Sequence, residues 1–253
     1  MQHRAAAAAE ASRLGIHATW STLIGIVLSG PLALAVLATT HPQPPWRNAE
    51  SFVRAFHVSQ TLPYFAGFFL VGGYALLMAS LHAGASEERK PRTAAVLVLT
   101  SAFVSLVFLN YIVQTTFIPA LVAHYDSENA PIVAALSMTN PASLAWAIEM
   151  WAWALLGAAT WIVAPVFSGS RLERITGWVF VANGVVSVLS ALITSVRPAW
   201  VMTSLGLAGY SLWNVLVFAM SILALLVFRR RIRDERDPAP ASSAAVVAHQ
   251  GHA

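Results

Sequence analysis

Glu149 sits inside "NPASLAWAIEMWAWALLG", the apolar stretch Asn140–Gly157, with Trp146 three residues before it and Trp153 four residues after. On a helix these offsets bring both indoles to the face of the acid. Two kinds of chemistry suit the trio. A carboxyl removed from water can take up and release a proton. A carboxylate beside indole faces can also attract a cationic ligand. A second polar set occurs in "LNYIVQTTFIP", where Asn110 and Gln114 are spaced by four and stack on one face. Tyr64, four residues after Gln60, supplies a phenol that could close the same ring.

Whether these groups meet depends on the elements that carry them. The chain has 253 residues, 57% hydrophobic and 10% charged, where soluble domains carry about 25% charged residues. Its charges are clustered. No Asp, Glu, Lys or Arg lies between Arg13 and Arg47, Arg54 and Glu87, Arg92 and Asp126, Arg174 and Arg197, or Arg197 and Arg229. Between Glu128 and Arg171 the one charged residue is Glu149. Uncharged stretches of this length are membrane spans, which need about 20 apolar residues each. The pattern predicts an all-α polytopic membrane protein, a six-helix transmembrane bundle over residues 19–228. Spans 1 to 6 are expected at 19–39, 61–82, 94–121, 142–166, 175–195 and 200–228. Span 1 could be read as a cleaved leader ending at "VLA" before Thr39, but its length and Pro31 favour a span.

Counting Lys and Arg orients the bundle. With both termini cytoplasmic, twelve of the fifteen lie in inside segments, against Arg47, Arg54 and Arg197 outside. The segment 1–18 is then a cytoplasmic N-terminal stretch. Residues 229–253 form a basic anchor and a cytoplasmic tail whose Pro/Ala/Ser-rich composition predicts disorder from Arg231. The basic run "FRRRIRDERD" reads as that anchor, not as a nucleic-acid patch.

Turn counting then places the polar groups. Glu149 lies seven residues inside the outer end of span 4, and Gln114 seven residues inside that of span 3, each about 10 Å deep. Asn110 is one turn deeper. The expectation is that Glu149, Asn110 and Gln114 face one another, with Tyr64 near them and Trp146 and Trp153 walling the acid. Span 3 is long for a bilayer, so it should tilt, kink or project, with Pro119 favouring a break. Polar stripes at Asn183, Ser187, Ser190 and Thr194, and at Thr203, Tyr210, Asn214 and Ser221, suit helix packing.

The sequence holds no cysteine, which excludes disulfides and thiolate chemistry. His17 with His82, and His57 with His124, could ligate haem at two levels, but all four lie at span edges, so no cofactor or metal is assigned. No zinc-protease, phosphate-loop or nucleophile-elbow motif occurs. An enzyme would need a second titratable group beside Glu149, so non-enzymatic readings are favoured. The first is a small-solute or proton-coupled transporter, or a ligand-binding membrane protein. Its rival is a scaffold that binds a partner or lipid. The expected partners are membrane lipids, a small-molecule or proton ligand and a second copy of the chain, with no nucleic acid.

The segments "LNYIVQTTFIP", "NPASLAWAIEMWAWALLGAATWIVAPVF" and "RLERITGWVFVANGVVS" cover roughly the middle third of the chain. They resemble a group of prokaryotic multi-pass membrane proteins of unknown function. The resemblance implies a bacterial inner-membrane protein and leaves the chemistry open.

Overall fold

The computed structural model describes residues 2–236; the expected disorder of residues 237–253 falls outside them. Every regular element there is helical, and six helices are long and apolar enough to cross a membrane. These spans are Ala7–Thr40, Val58–Ala83, Glu87–Ala123, Leu144–Val166, Arg171–Val196 and Ser204–Asp234. The protein is therefore a multi-pass membrane protein. Each span packs against its sequence neighbours, and span 6 closes on span 1, giving a ring of six antiparallel helices. Tyr74, Phe103, Trp153, Phe180 and Met220, from spans 2 to 6, fill its middle.

An even number of crossings puts both ends of the described chain, Gln2 and Arg236, at one end of the bundle. The opposite end is more built than the sequence suggested. The segments between spans 1 and 2 and between spans 3 and 4 contain short helices, Ala49–Ala55 and Ala130–Leu136. Ala49, Phe52 and Val133 bury against Ile118 of span 3 and form a small second core with Trp46, Phe56 and Leu121 around it. Asn48 caps the first short helix through a reciprocal pair with Ser51. These segments are a lid of packed structure over the bundle mouth.

Two spans are interrupted by single π-helical turns, Leu28–Leu32 in span 1 and Val113–Phe117 in span 3. Both contain or precede a proline, Pro31 and Pro119. Proline has no N–H to complete the α-helical ladder, and at the second turn the Ile118 N–H bonds Val113 O, five residues back. The break expected at Pro119 thus appears as a widened turn just before it. Span 3 stays continuous over 37 residues, about 55 Å long, and so projects past a bilayer core.

Several ends differ from the expected boundaries, the starts of span 3 at Glu87 and span 5 at Arg171 among them. Helix begins at Gln2, far ahead of residue 19. The alanine-rich start favours it, and Ala11 and Ser12 are buried, with Ser80 Oγ donating to Ala11 O at 2.9 Å. Span 6 runs on as helix to Arg236, through the part of the tail from Arg231 that composition marked as disordered. There the Arg231 guanidinium holds Glu173 of span 5, and Arg230 lies near Asp234 one turn on. Side-chain pairing from a neighbouring helix extends the element where composition alone argues against order. Span 6 also starts at Ser204, because a 3₁₀ turn Pro198–Met202 takes up the residues before it.

Candidate functional site

Ser143 begins span 4 by accepting the Trp146 N–H at 3.0 Å, which fixes the start of the helix six residues before Glu149. Glu149 is 7% exposed. Its two oxygens receive three donors. Asn110 Nδ2 donates to Oε2 at 2.9 Å, while Tyr111 OH at 3.1 Å and Trp153 Nε1 at 2.7 Å both donate to Oε1. Two donors come from span 3 and one from the turn of span 4 below the acid. No Lys or Arg occurs between Arg92 and Arg171 or among the neighbouring apolar runs to offset a charge. The expense of a carboxyl at this depth is met by hydrogen bonds, as intramembrane acids require.

Asn110 joins more than one element. Its Nδ2 also lies 3.1 Å from Ala145 O and 3.2 Å from Met138 Sδ, so two N–H bonds are shared among three acceptors. Gln114 Nε2 reaches Asn110 Oδ1 at 3.4 Å, a long contact, and Leu136 O at 2.8 Å, while Gln114 Oε1 accepts from Met138 N–H at 3.2 Å. Asn110 and Glu149 therefore meet directly, as expected of the cluster, although the turn count put Gln114 and not Asn110 level with the acid. Gln114 stands one step away and spends its amide on the lid, pinning the chain that leads into span 4. The sequence offered no means of seeing this, since residues 137–143 read as an ordinary connection.

Tyr64 is not among the donors to Glu149. Its ring packs against Tyr111 at a centroid distance of 5.5 Å, so it supports the phenol that bonds the acid. Tyr111 is the residue the sequence reading missed. Selecting residues four apart favoured Asn110 and Gln114, yet Tyr111 lies next to Asn110, and a mid-span tyrosine needs a partner for its hydroxyl.

The two tryptophans differ. Trp153 gives the carboxyl its N–H edge, and its ring lies among Tyr74, Phe103 and Trp213 at 6.2, 4.8 and 4.6 Å. Trp146 gives Glu149 no hydrogen bond, and its Nε1 is buried without a partner. Aromatic neighbours crowd the Trp153 ring, so that ring does not stand open to a cationic ligand.

The histidines are also used differently from the two-level pairing considered for haem. His57 stacks on His41 at 3.5 Å, and both share Ser59 Oγ through Nδ1, at 2.7 and 3.3 Å respectively. His82 Nδ1 bonds Thr93 Oγ1 at 2.8 Å. Among the described residues no group of three or more His, Cys, Asp or Glu comes together.

In the span 5 stripe, Asn183, Ser187 and Thr194 are buried, and Asn183 Nδ2 meets Thr160 Oγ1 of span 4 at 3.3 Å. That pattern is helix packing. In span 6, Ser221 is fully buried, while Tyr210 is 41% exposed.

Comparison with protein-family models, with curated proteins and with solved structures finds no match to this chain.

Proposed function

We propose that this is a bacterial inner-membrane protein in which Glu149 carries a proton and couples it to the binding or transport of a small solute. The observation that supports the reading most is the set of three donors on one buried carboxyl. Donors suit an acceptor. A proton added to either oxygen must displace a donor or find an acceptor of its own, so loading Glu149 changes the joint between spans 3 and 4. Asn110 passes such a change to Gln114 and the lid, and the π-turn Val113–Phe117, which holds Gln114 itself, gives span 3 a place to yield. Single π-turns recur at functional sites for this kind of reason.

The test needs no known solute. Difference infrared spectroscopy of the protein in nanodiscs, with Glu149→Gln as the assignment control, reads the carboxyl band against pH. Hydrogen exchange over residues 137–143 reads the lid. The expected result is a lid whose protection changes with the Glu149 band in the native protein and is pH-independent in Glu149→Gln. A band titrating near the roughly 4.3 of a free glutamate would overturn the proposal. So would a lid indifferent to the variant.

The closure of the site favours a second reading, in which Glu149 is a hydrogen-bonded staple of a non-catalytic scaffold. That reading expects Glu149→Gln to leave lid protection unchanged at every pH.

The proposed orientation has both termini in the cytoplasm, on the strength of twelve Lys and Arg at that end against three at the other. An epitope inserted at Ser127 should be reached by antibody on spheroplasts without permeabilisation. Detection only after permeabilisation would reverse the orientation.

A further inference from the structure

At the end that carries the termini, far along the bundle from Glu149, a cavity of about 260 Å³ opens between spans 5 and 6. Glu173, Arg230, Arg231 and Asp234 line it, with Leu172 and Val227 as apolar wall. Its depth in a membrane follows from the sequence around it. The apolar run of span 6 stops at Phe228 and the arginines begin at Arg229. Arg229 stands 5.9 Å from the centre of the Trp20 ring, and Trp20 is 46% exposed. An exposed tryptophan beside the first charge of a span marks the level of lipid headgroups.

The lining holds two guanidiniums and two carboxylates, and they are not equivalent. Glu173 is saturated. Its Oε1 takes Arg231 Nε at 3.0 Å and Nη2 at 2.7 Å, and its Oε2 takes the Gly169 and Ser170 N–H groups at 2.8 and 3.3 Å. Arg231 spends its Nε/Nη2 edge on that contact. Arg230 and Asp234 are looser, 3.4 Å apart with side chains 48% and 60% exposed. A pair this exposed contributes little and opens at small cost.

A simple anion entering the cavity would meet two carboxylates, and a simple cation two guanidiniums. A ligand with a phosphate at one end and an ammonium at the other meets both signs. We infer that this cavity binds a phosphoethanolamine headgroup. The phosphate lies between Arg230 and the outer edge of Arg231, the ammonium donates to Asp234, and Leu172 with Val227 covers the glycerol end of a lipid. The trimethylated amine of a phosphocholine headgroup carries the same charges but has no N–H to give Asp234.

Native mass spectrometry of the full chain in detergent micelles tests this. The probes are phosphatidylethanolamine, phosphatidylcholine, phosphatidylglycerol and soluble phosphoethanolamine. One phosphatidylethanolamine is expected per chain, bound about tenfold more tightly than phosphatidylcholine, the equivalent of one charge-assisted hydrogen bond. Asp234→Asn should remove that preference and Arg230→Ala should weaken both lipids alike, and because both side chains are exposed the melting temperature should not move. Equal binding of the three lipids, a preference that survives Asp234→Asn, or lipid affinity unchanged in Arg230→Ala would overturn the site. Soluble phosphoethanolamine binding as tightly as the lipid would overturn the lipid as its occupant.

Discussion

Glu149→Leu is expected to destabilise the bundle by about 2–4 kcal/mol, since a buried donor left without an acceptor costs roughly 1–3 kcal/mol and measured values inside membranes fall at the low end. The substitution orphans Tyr111 OH and Trp153 Nε1 together, and each is held in place by aromatic neighbours. Asn110 is affected less, because Ala145 O remains within 3.1 Å of its Nδ2. Glu149→Gln should cost about 1 kcal/mol. Its carbonyl still serves Tyr111 and Trp153, but its amide now faces the Asn110 amide, which must turn and give up Ala145. Reversible unfolding in mixed micelles measures both. A leucine variant as stable as the native protein would mean that the three donors find other partners at no cost, and the buried acid would then lose its structural weight.

Gly184→Leu carries the other large effect, a loss of about 3 kcal/mol, at the upper end of what overpacking a close contact usually costs. Spans 4 and 5 touch through backbone. A Cβ on Gly184 would lie 2.6 Å from Gly157 O and 3.1 Å from Trp161 Cβ, and one on Gly157 would lie 2.7 Å from Ser187 Cβ. None of these three atoms is the free end of a flexible side chain, so the helices themselves must part. Separation also breaks the Asn183–Thr160 contact at 3.3 Å and shifts span 4, which carries Glu149. Small residues permit this approach where lipid offers no hydrophobic force to press helices together. Gly72→Ala is the control, since nothing lies within 4 Å of its added methyl, and it should be neutral within about 0.5 kcal/mol. If Gly184→Leu melts like that control, the spans are not in backbone contact.

The sequence by itself determined the class of molecule and the skeleton of the site. Charge-free stretches bounded by Arg, Lys, Pro and Gly define six spans, because burying charge in a bilayer is costly enough to leave a plain mark in composition. Turn counting brought the Asn110–Gln114 stretch of span 3 near the level of Glu149, because helical rise is fixed and consecutive spans run antiparallel. Trp153 was visible for the same reason, one turn from the acid on its own helix. Only the tertiary structure decided which groups complete the shell. Tyr111 enters because the packing of span 3 turns that residue toward span 4, and no spacing rule within one helix reports rotation against a neighbour. Gln114 leaves the acid because residues 136–138 fold back over the bundle mouth, and a connection's path depends on contacts distant in sequence. The helical extension of span 6 to Arg236 has the same origin. Its side chains are polar enough to be soluble as coil, and what holds the helix is Glu173, 58 residues away. Local periodicity is written in the chain, whereas partners chosen across the bundle depend on where every other helix has come to rest.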